Sequence, residues 1–235
     1  MKKKKKRYII LLVILLVLAG VVYMVIFGSK GRRTGQVKTT QIPYSEDADS
    51  RILVAYFTGA DNMPQDGLDA VTSASVMEND GELVGNTEYA AMKIGQLVGA
   101  DTFSIQTNRL YSQNYTLSTI QALGEQTLNV KPALVSHVND FEQYDVIFLG
   151  YPAWWMDIPI AVESFLDEYD FSGKTVIPFT THVSSGLGDT VEKIQKLVPG
   201  AEVQQGIAIK EDELEGEQLN DILIKQLKEY GIFEI

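Results

Sequence analysis

Five strand-like segments, three of them apolar runs rich in β-branched and aromatic residues, recur along this chain, each followed by a helical pattern. The first, Arg51-Ile-Leu-Val-Ala-Tyr-Phe57, is continuously apolar after its first residue, as expected of a strand covered on both faces. Further strands are expected over 101–106, 144–149, 174–181 and 202–209. Helices are expected over 86–98, where Ala90, Ile94, Leu97 and Val98 share one face before Gly99, and over 116–130, 158–169, 189–197 and 215–230. Residues 60–84, rich in Asp, Asn, Gly, Ser and Met, read as a long loop. Strand–helix alternation of this kind implies parallel pairing through right-handed crossovers, with helices on both faces. The expected fold is α/β, a doubly wound five-stranded parallel sheet.

The start of the chain differs in kind. Nine of the 20 basic residues and no acid lie within 1–33, so the rest holds 11 basic residues against all 31 acids, a net charge of −20. So acidic a body repels phosphate backbones and anionic lipid headgroups and excludes nucleic acid as a partner; a basic protein partner suits it, with plain solubility as the alternative. Residues 8–27 form an uninterrupted run of apolar residues and glycine, long enough as a helix to cross the roughly 30 Å hydrocarbon core of a bilayer. The reading is 1–33 as a basic start and single transmembrane helix, 34–50 as a linker, and 51–235 as the folded body. Six basic residues precede the span and three follow it, which places the body on the extracytoplasmic side. The chain has no cysteine and two histidines, His137 and His182, so disulfides, thiolate chemistry and a metal site are not expected.

Three loops follow alternate strands and would meet at the carboxyl end of the sheet, where open α/β folds bind ligands. The first joins Thr58 to Gly85-Asn86-Thr87 at the start of a helix, whose free N–H groups suit an anion. An ordinary helix cap by Asn86 or Thr87 is the alternative. The second is Tyr151-Pro152-Ala153-Trp154-Trp155-Met156-Asp157, which holds both tryptophans of the chain; they are either a platform for a flat ring or core residues. The third is Thr181-His182-Val183-Ser184-Ser185-Gly186, a polar edge or a plain turn into the next helix. The glycine patterns of dinucleotide and triphosphate loops are absent. Taken together, the loops describe a site for a phosphorylated flat ring, which flavin mononucleotide (FMN) fits.

Four motifs in order carry a family resemblance: Tyr56-Phe57-Thr58, Gly85-Asn86-Thr87, Gly150-Tyr-Pro-Ala-Trp-Trp155 and Pro178-Phe-Thr-Thr-His182. Over about residues 51–210 the sequence resembles the flavodoxins, and among them a subgroup with Gly-Tyr-Pro-x-Trp-Trp. The resemblance implies strand order 2-1-3-4-5, non-covalent FMN and one- or two-electron redox chemistry. By the same motifs, Thr58, Gly85, Asn86 and Thr87 would hold the phosphate. Pro152, Ala153, Trp154 and Trp155 would flank the ring, and Thr181, His182, Ser184, Ser185 and Gly186 its other edge. The sequence departs from the subgroup at Met156, where relatives often carry glycine, and at Val183-Ser184, where they often carry two. The expected role is a membrane-tethered electron carrier serving a redox partner protein. An FMN-dependent NAD(P)H:quinone oxidoreductase and a flavin-free binding domain are the alternatives.

Overall fold

Strands form where the sequence pattern places them, with two exceptions. The computed structural model describes residues 52–64 and 75–232, together with Tyr8, residues 12–17 and 19–20, and Tyr23. In chain order the strands are β1 (Ile52–Tyr56), β2 (Val76–Asn79), β3 (Glu82–Gly85), β4 (Asp101–Ser104), β5 (Val146–Pro152), β6 (Thr175–His182), β7 (Glu202–Val203) and β8 (Ile207–Lys210). The helices are α1 (Asn86–Val98), α2 (Tyr115–Leu128), α3 (Ile160–Glu168), α4 (Thr190–Leu197) and α5 (Gln218–Glu229). The main sheet runs β4-β1-β5-β6-β7, with β8 also on β6, and its pairings are all parallel.

The sheet therefore has six strands rather than five, because the run expected over 202–209 is split. The cause lies in the neighbouring strand. The Val176 carbonyl accepts from Gln204 N–H at 2.9 Å, so Val176, and by alternation Pro178, faces the last strand. Proline has no N–H to offer there, and the ladder lapses opposite it. Gly206 makes the detour at φ +83°, and a Cβ on it would meet the Pro178 carbonyl at 2.8 Å.

The second exception corrects the long loop expected over 60–84. Residues 76–85 form an antiparallel hairpin, Val76 opposite Gly85 and Asn79 opposite Glu82. Its two turn residues, Asp80 and Gly81, both have positive φ (52° and 80°), the pattern that Asp-Gly favours in two-residue hairpins. β5 also outruns its expected end at 149. Pairing with β1 stops at Gly150, but pairing with β6 continues to Pro152, beyond the reach of β1.

Apolar residues fill both faces of the sheet. On one face Val54, Tyr56, Phe148, Ile177 and Phe179 pack against Ile94 of α1 and Leu219, Leu223 and Leu227 of α5. On the other, Leu53, Ala55, Phe57, Ile147, Leu149 and Val176 pack against Phe165 of α3 and Ile194 of α4. α2 contributes to neither cluster. Among the described residues no helix is long and apolar enough to cross a membrane. The expected span over 8–27 lies partly, and the linker over 34–50 wholly, outside the described residues; the described part of the run is helical and exposed.

Candidate functional site: a cavity at the carboxyl ends of the strands

The first loop is built around one close approach. Thr58 follows β1, is buried, and turns its Oγ1 toward Gly85; a Cβ there would lie 1.9 Å from that oxygen. Only glycine lets hairpin and helix start this close to β1. Gly85 is the N-cap of α1, and Asn86 and Thr87 are its first two residues, so neither caps the helix. Gly85 N–H donates to the Glu88 carboxylate at 3.2 Å, and Asn86 N–H donates to the Ser75 carbonyl at 2.9 Å. Asn86 Nδ2 donates to Glu211 Oε1 at 3.3 Å. The Thr87 and Thr181 hydroxyls share a 2.7 Å hydrogen bond, which ties this loop to the end of β6.

The second loop is a tight, strained turn. Trp154 and Asp157 exchange both backbone hydrogen bonds, at 3.1 and 3.0 Å. Between them Trp155 and Met156 both have positive φ, 54° and 62°, a geometry that costs L-residues about 1–2 kcal/mol each. Three side chains hold the turn. Gln126 Nε2 donates to the Trp154 and Ile158 carbonyls, each at 3.2 Å, and the Trp155 indole donates to the Thr119 carbonyl at 2.9 Å. Lys193 reaches Asp157 Oδ2 at 2.7 Å and the largely buried Glu163 at 2.7 Å. Burial pulls the Lys193 ammonium downward, but its bonds to Asp157 and Glu163 outweigh this and hold its pKa above the usual lysine value. Trp154 turns inward, edge-on to Phe57 and Tyr111 at 5.3 and 5.0 Å, whereas Trp155 is 53% exposed.

The third loop begins at His182, the last residue of β6, which is 8% exposed. Burial lowers its pKa below 6.5, with the nearby Glu213 carboxylate working against that shift. The imidazole is therefore neutral near pH 7.

These loops enclose a cavity of about 570 Å³, within the usual range for small-molecule sites. Of the residues expected from the sequence, Asn86, Pro152, Ala153, Trp154, Trp155, Thr181 and His182 line it. Thr58, Gly85 and Thr87 stand outside the lining, and Thr58 and Thr87 are buried. Ser184, Ser185 and Gly186 are also absent from the wall, where Val183 stands instead. The sequence reading missed Met63, Ser75 and Val76 from the insertion, Tyr115, Ser118, Thr119 and Ala122 from α2, and Glu211 after β8. Glu211 was findable, since the loop after the last strand also opens at this end of the sheet; the α2 residues carried no such signal.

The lining suits a ligand that is polar at one end and flat and apolar at the other. Among the described residues, Asn86 Oδ1 and His182 Nδ1 are buried without a hydrogen-bond partner, as is Thr58 Oγ1 behind them. Such groups are costly to leave unmet, and two of them belong to residues of the cavity wall. The flat, apolar part of the wall fits the ring of FMN, with two features against its phosphate: the Glu211 carboxylate beside Asn86 repels it, and Asn86 Oδ1 can only accept a hydrogen bond.

Fold and cavity together define a doubly wound α/β protein with a ligand site where its strands end. The flavodoxin family model matches residues 80–223, more than half of the chain, and the chain belongs to the flavodoxin family. Membership supports FMN as the cofactor. Among solved structures, the chain is similar to a protein described as a candidate flavoprotein from Bacteroides eggerthii, at 24% identity and TM-score 0.59, covering 78% of this chain and 99% of that one. A second, from Bacteroides uniformis, is 25% identical with TM-score 0.53, covering 69% and 91%. A flavoprotein in complex with FMN from Lactobacillus acidophilus is 18% identical with TM-score 0.48, covering 69% and 94%. No curated protein matches the chain.

Proposed function

We propose that this chain is a membrane-tethered FMN-binding electron carrier that passes electrons between redox partners. The observation that carries the FMN reading is the cavity itself, with a tryptophan wall, a helix start and unpartnered buried polar atoms at the carboxyl end of a parallel sheet. FMN, when bound, supplies the one- or two-electron redox chemistry. The chain's own residues bind and orient it. The start of α1 would hold the phosphate at Asn86, with Thr87 and Thr58 buried behind that wall. Trp154 and Trp155, with Pro152 and Ala153, flank the ring and exclude water, and neutral His182 meets its polar edge with Thr181. The acidic body suits a basic protein partner, and the apolar run 8–27 holds it at the membrane, on the extracytoplasmic side.

The test is the absorption spectrum of the full chain purified in detergent, with the released cofactor identified by mass. Bound FMN at one per chain is expected. Protein that stays colourless after incubation with FMN and gives no calorimetric binding would show a flavin-free binding domain instead. Steady turnover of NAD(P)H with a quinone by the pure protein would replace the carrier with an oxidoreductase.

A further inference from the structure

α2 is built inside out. Its buried residues are Ser118, Gln121, Ala122, Gly124 and Glu125, while Tyr115, Leu117, Ile120, Leu123 and Leu128 are exposed. The inward polar face has partners. Glu125 Oε2 accepts from the Tyr111 hydroxyl at 2.7 Å, and Gln126 braces the tryptophan turn. Nothing comparable among the described residues covers the outer face. Glu125 is the only charged residue of α2 and it is buried, so this helix shows no charge to solvent on a body of net charge −20. An apolar surface of this kind marks an interaction site.

We infer that the outer face of α2 lies on a phospholipid bilayer, with the cavity mouth turned toward the lipid. Three observations select lipid. The face runs on into the cavity mouth, because Trp155 bonds the Thr119 carbonyl of α2 and both Tyr115 and Trp155 line the cavity. Tyr and Trp, each apolar with one polar tip, are the residues that settle at headgroup depth. The chain also carries its own 20-residue apolar run, and 24 residues separate that run from Ile52. Ile52 opens β1 at the end of the sheet opposite the cavity. At roughly 3.3 Å per residue the connection reaches on the order of 80 Å. The longest paired stretch, seven residues from Val146 to Pro152, spans roughly 23 Å. The connection is therefore long enough for the far end of the body to meet the membrane. In this position the cavity opens to acceptors dissolved in the bilayer as well as to proteins beside it.

This inference rests on the reading of residues 8–27 as a span, and the two are tested separately. The chain has no cysteine, so single cysteines can be placed freely. Ile120→Cys, on the outer face of α2, and Glu229→Cys, exposed at the end of α5, are each labelled with an environment-sensitive fluorophore. The full chain is then reconstituted in phosphatidylcholine vesicles with brominated acyl chains. Docking predicts a blue shift and bromine quenching at position 120, neither at position 229, and loss of both signals when Leu117→Glu and Leu123→Glu are added. Equal, water-like spectra at both positions overturn the inference. So does stoichiometric disulfide crosslinking of the unlabelled Ile120→Cys variant to a second copy of itself in the vesicles, which would make the face a contact between two copies. Retention through an alkaline carbonate wash reads the span alone. If the chain washes off, quenching by added vesicles still decides the docking.

Discussion

Met156→Gly should make the protein more stable, although it deletes a side chain. Met156 sits at φ +62° and is 71% exposed, so its side chain buries little against the body. The left-handed conformation costs an L-residue about 1–2 kcal/mol, which glycine does not incur. Against this, glycine raises the entropy of the unfolded chain by about 0.4–1 kcal/mol. The balance is a gain of about 0.5–1 kcal/mol, or a rise in melting temperature of about 1–4 °C for a domain of this size. Urea melts of the cofactor-free protein read it as a higher midpoint at unchanged slope. Met156→Ala is the control, because it removes the same side chain but keeps the strain, and it should leave the midpoint near wild type. If Ala and Gly raise stability equally, the gain comes from losing an exposed apolar group. If Gly lowers it, the turn is not strained and the reasoning fails.

Lys193→Met removes the cation that holds Asp157 and leaves Glu163 with Lys131 alone; a loss of about 1–2 kcal/mol in urea melts is expected, with weaker FMN binding. Because the lysine acts through the strained turn, adding Met156→Gly should restore FMN affinity; failure to do so would leave Lys193 a general helix brace. Glu125, 1% exposed, has its pKa raised by burial, with the Tyr111 hydrogen bond opposing the shift. A raised carboxyl stabilises the fold below its ordinary 4.5, and this contribution is lost as pH rises through the folded-state value. Glu125→Gln, which keeps an acceptor for Tyr111, should therefore match wild type near pH 4 and exceed it near pH 8. Glu211→Gln removes the carboxylate beside Asn86 and should tighten FMN by about fivefold at low salt, an effect of about 1 kcal/mol, while leaving riboflavin, which lacks the phosphate, nearly unchanged. Equal effects on both ligands would place the phosphate elsewhere.

The alternation of strands and helices was legible because it is written in local period: five strand-like segments and five helical patterns needed no tertiary information. What was missed depends on neighbours in space. The split of the last strand follows from Pro178 in the adjacent strand, which no reading of 202–209 alone reveals. The hairpin over 76–85 was signalled by Asp80-Gly81, but the flanking residues are too polar to read as strands. Of the site, the loop residues were legible because parallel topology sends them to one end. The contribution of α2 was not, since an outward Leu117 and Ile120 with an inward Ser118 and Glu125 invert the pattern by which a helix face is assigned.

The strained turn also bears on the redox steps. A glycine-bearing loop at a flavin can turn a peptide over when the ring is reduced and so present a new hydrogen bond to it. In the 154–157 turn, inverting the Trp155–Met156 peptide would return Met156 to negative φ. It would carry Trp155 from the two-positive-φ turn into the first position of the mirror type II turn, a place that glycine occupies. The obstacle is therefore Trp155 rather than Met156, and its indole is further fixed on the Thr119 carbonyl. The turn would therefore offer a bound flavin no new hydrogen-bond donor on reduction, and a redox titration followed by visible spectra should show only a weak one-electron stage. Met156→Gly alone should change this little, whereas Trp155→Gly should raise the one-electron fraction. A dominant one-electron stage in the wild-type protein would mean that its stabilisation comes from another wall of the cavity, and that the turn does not govern it.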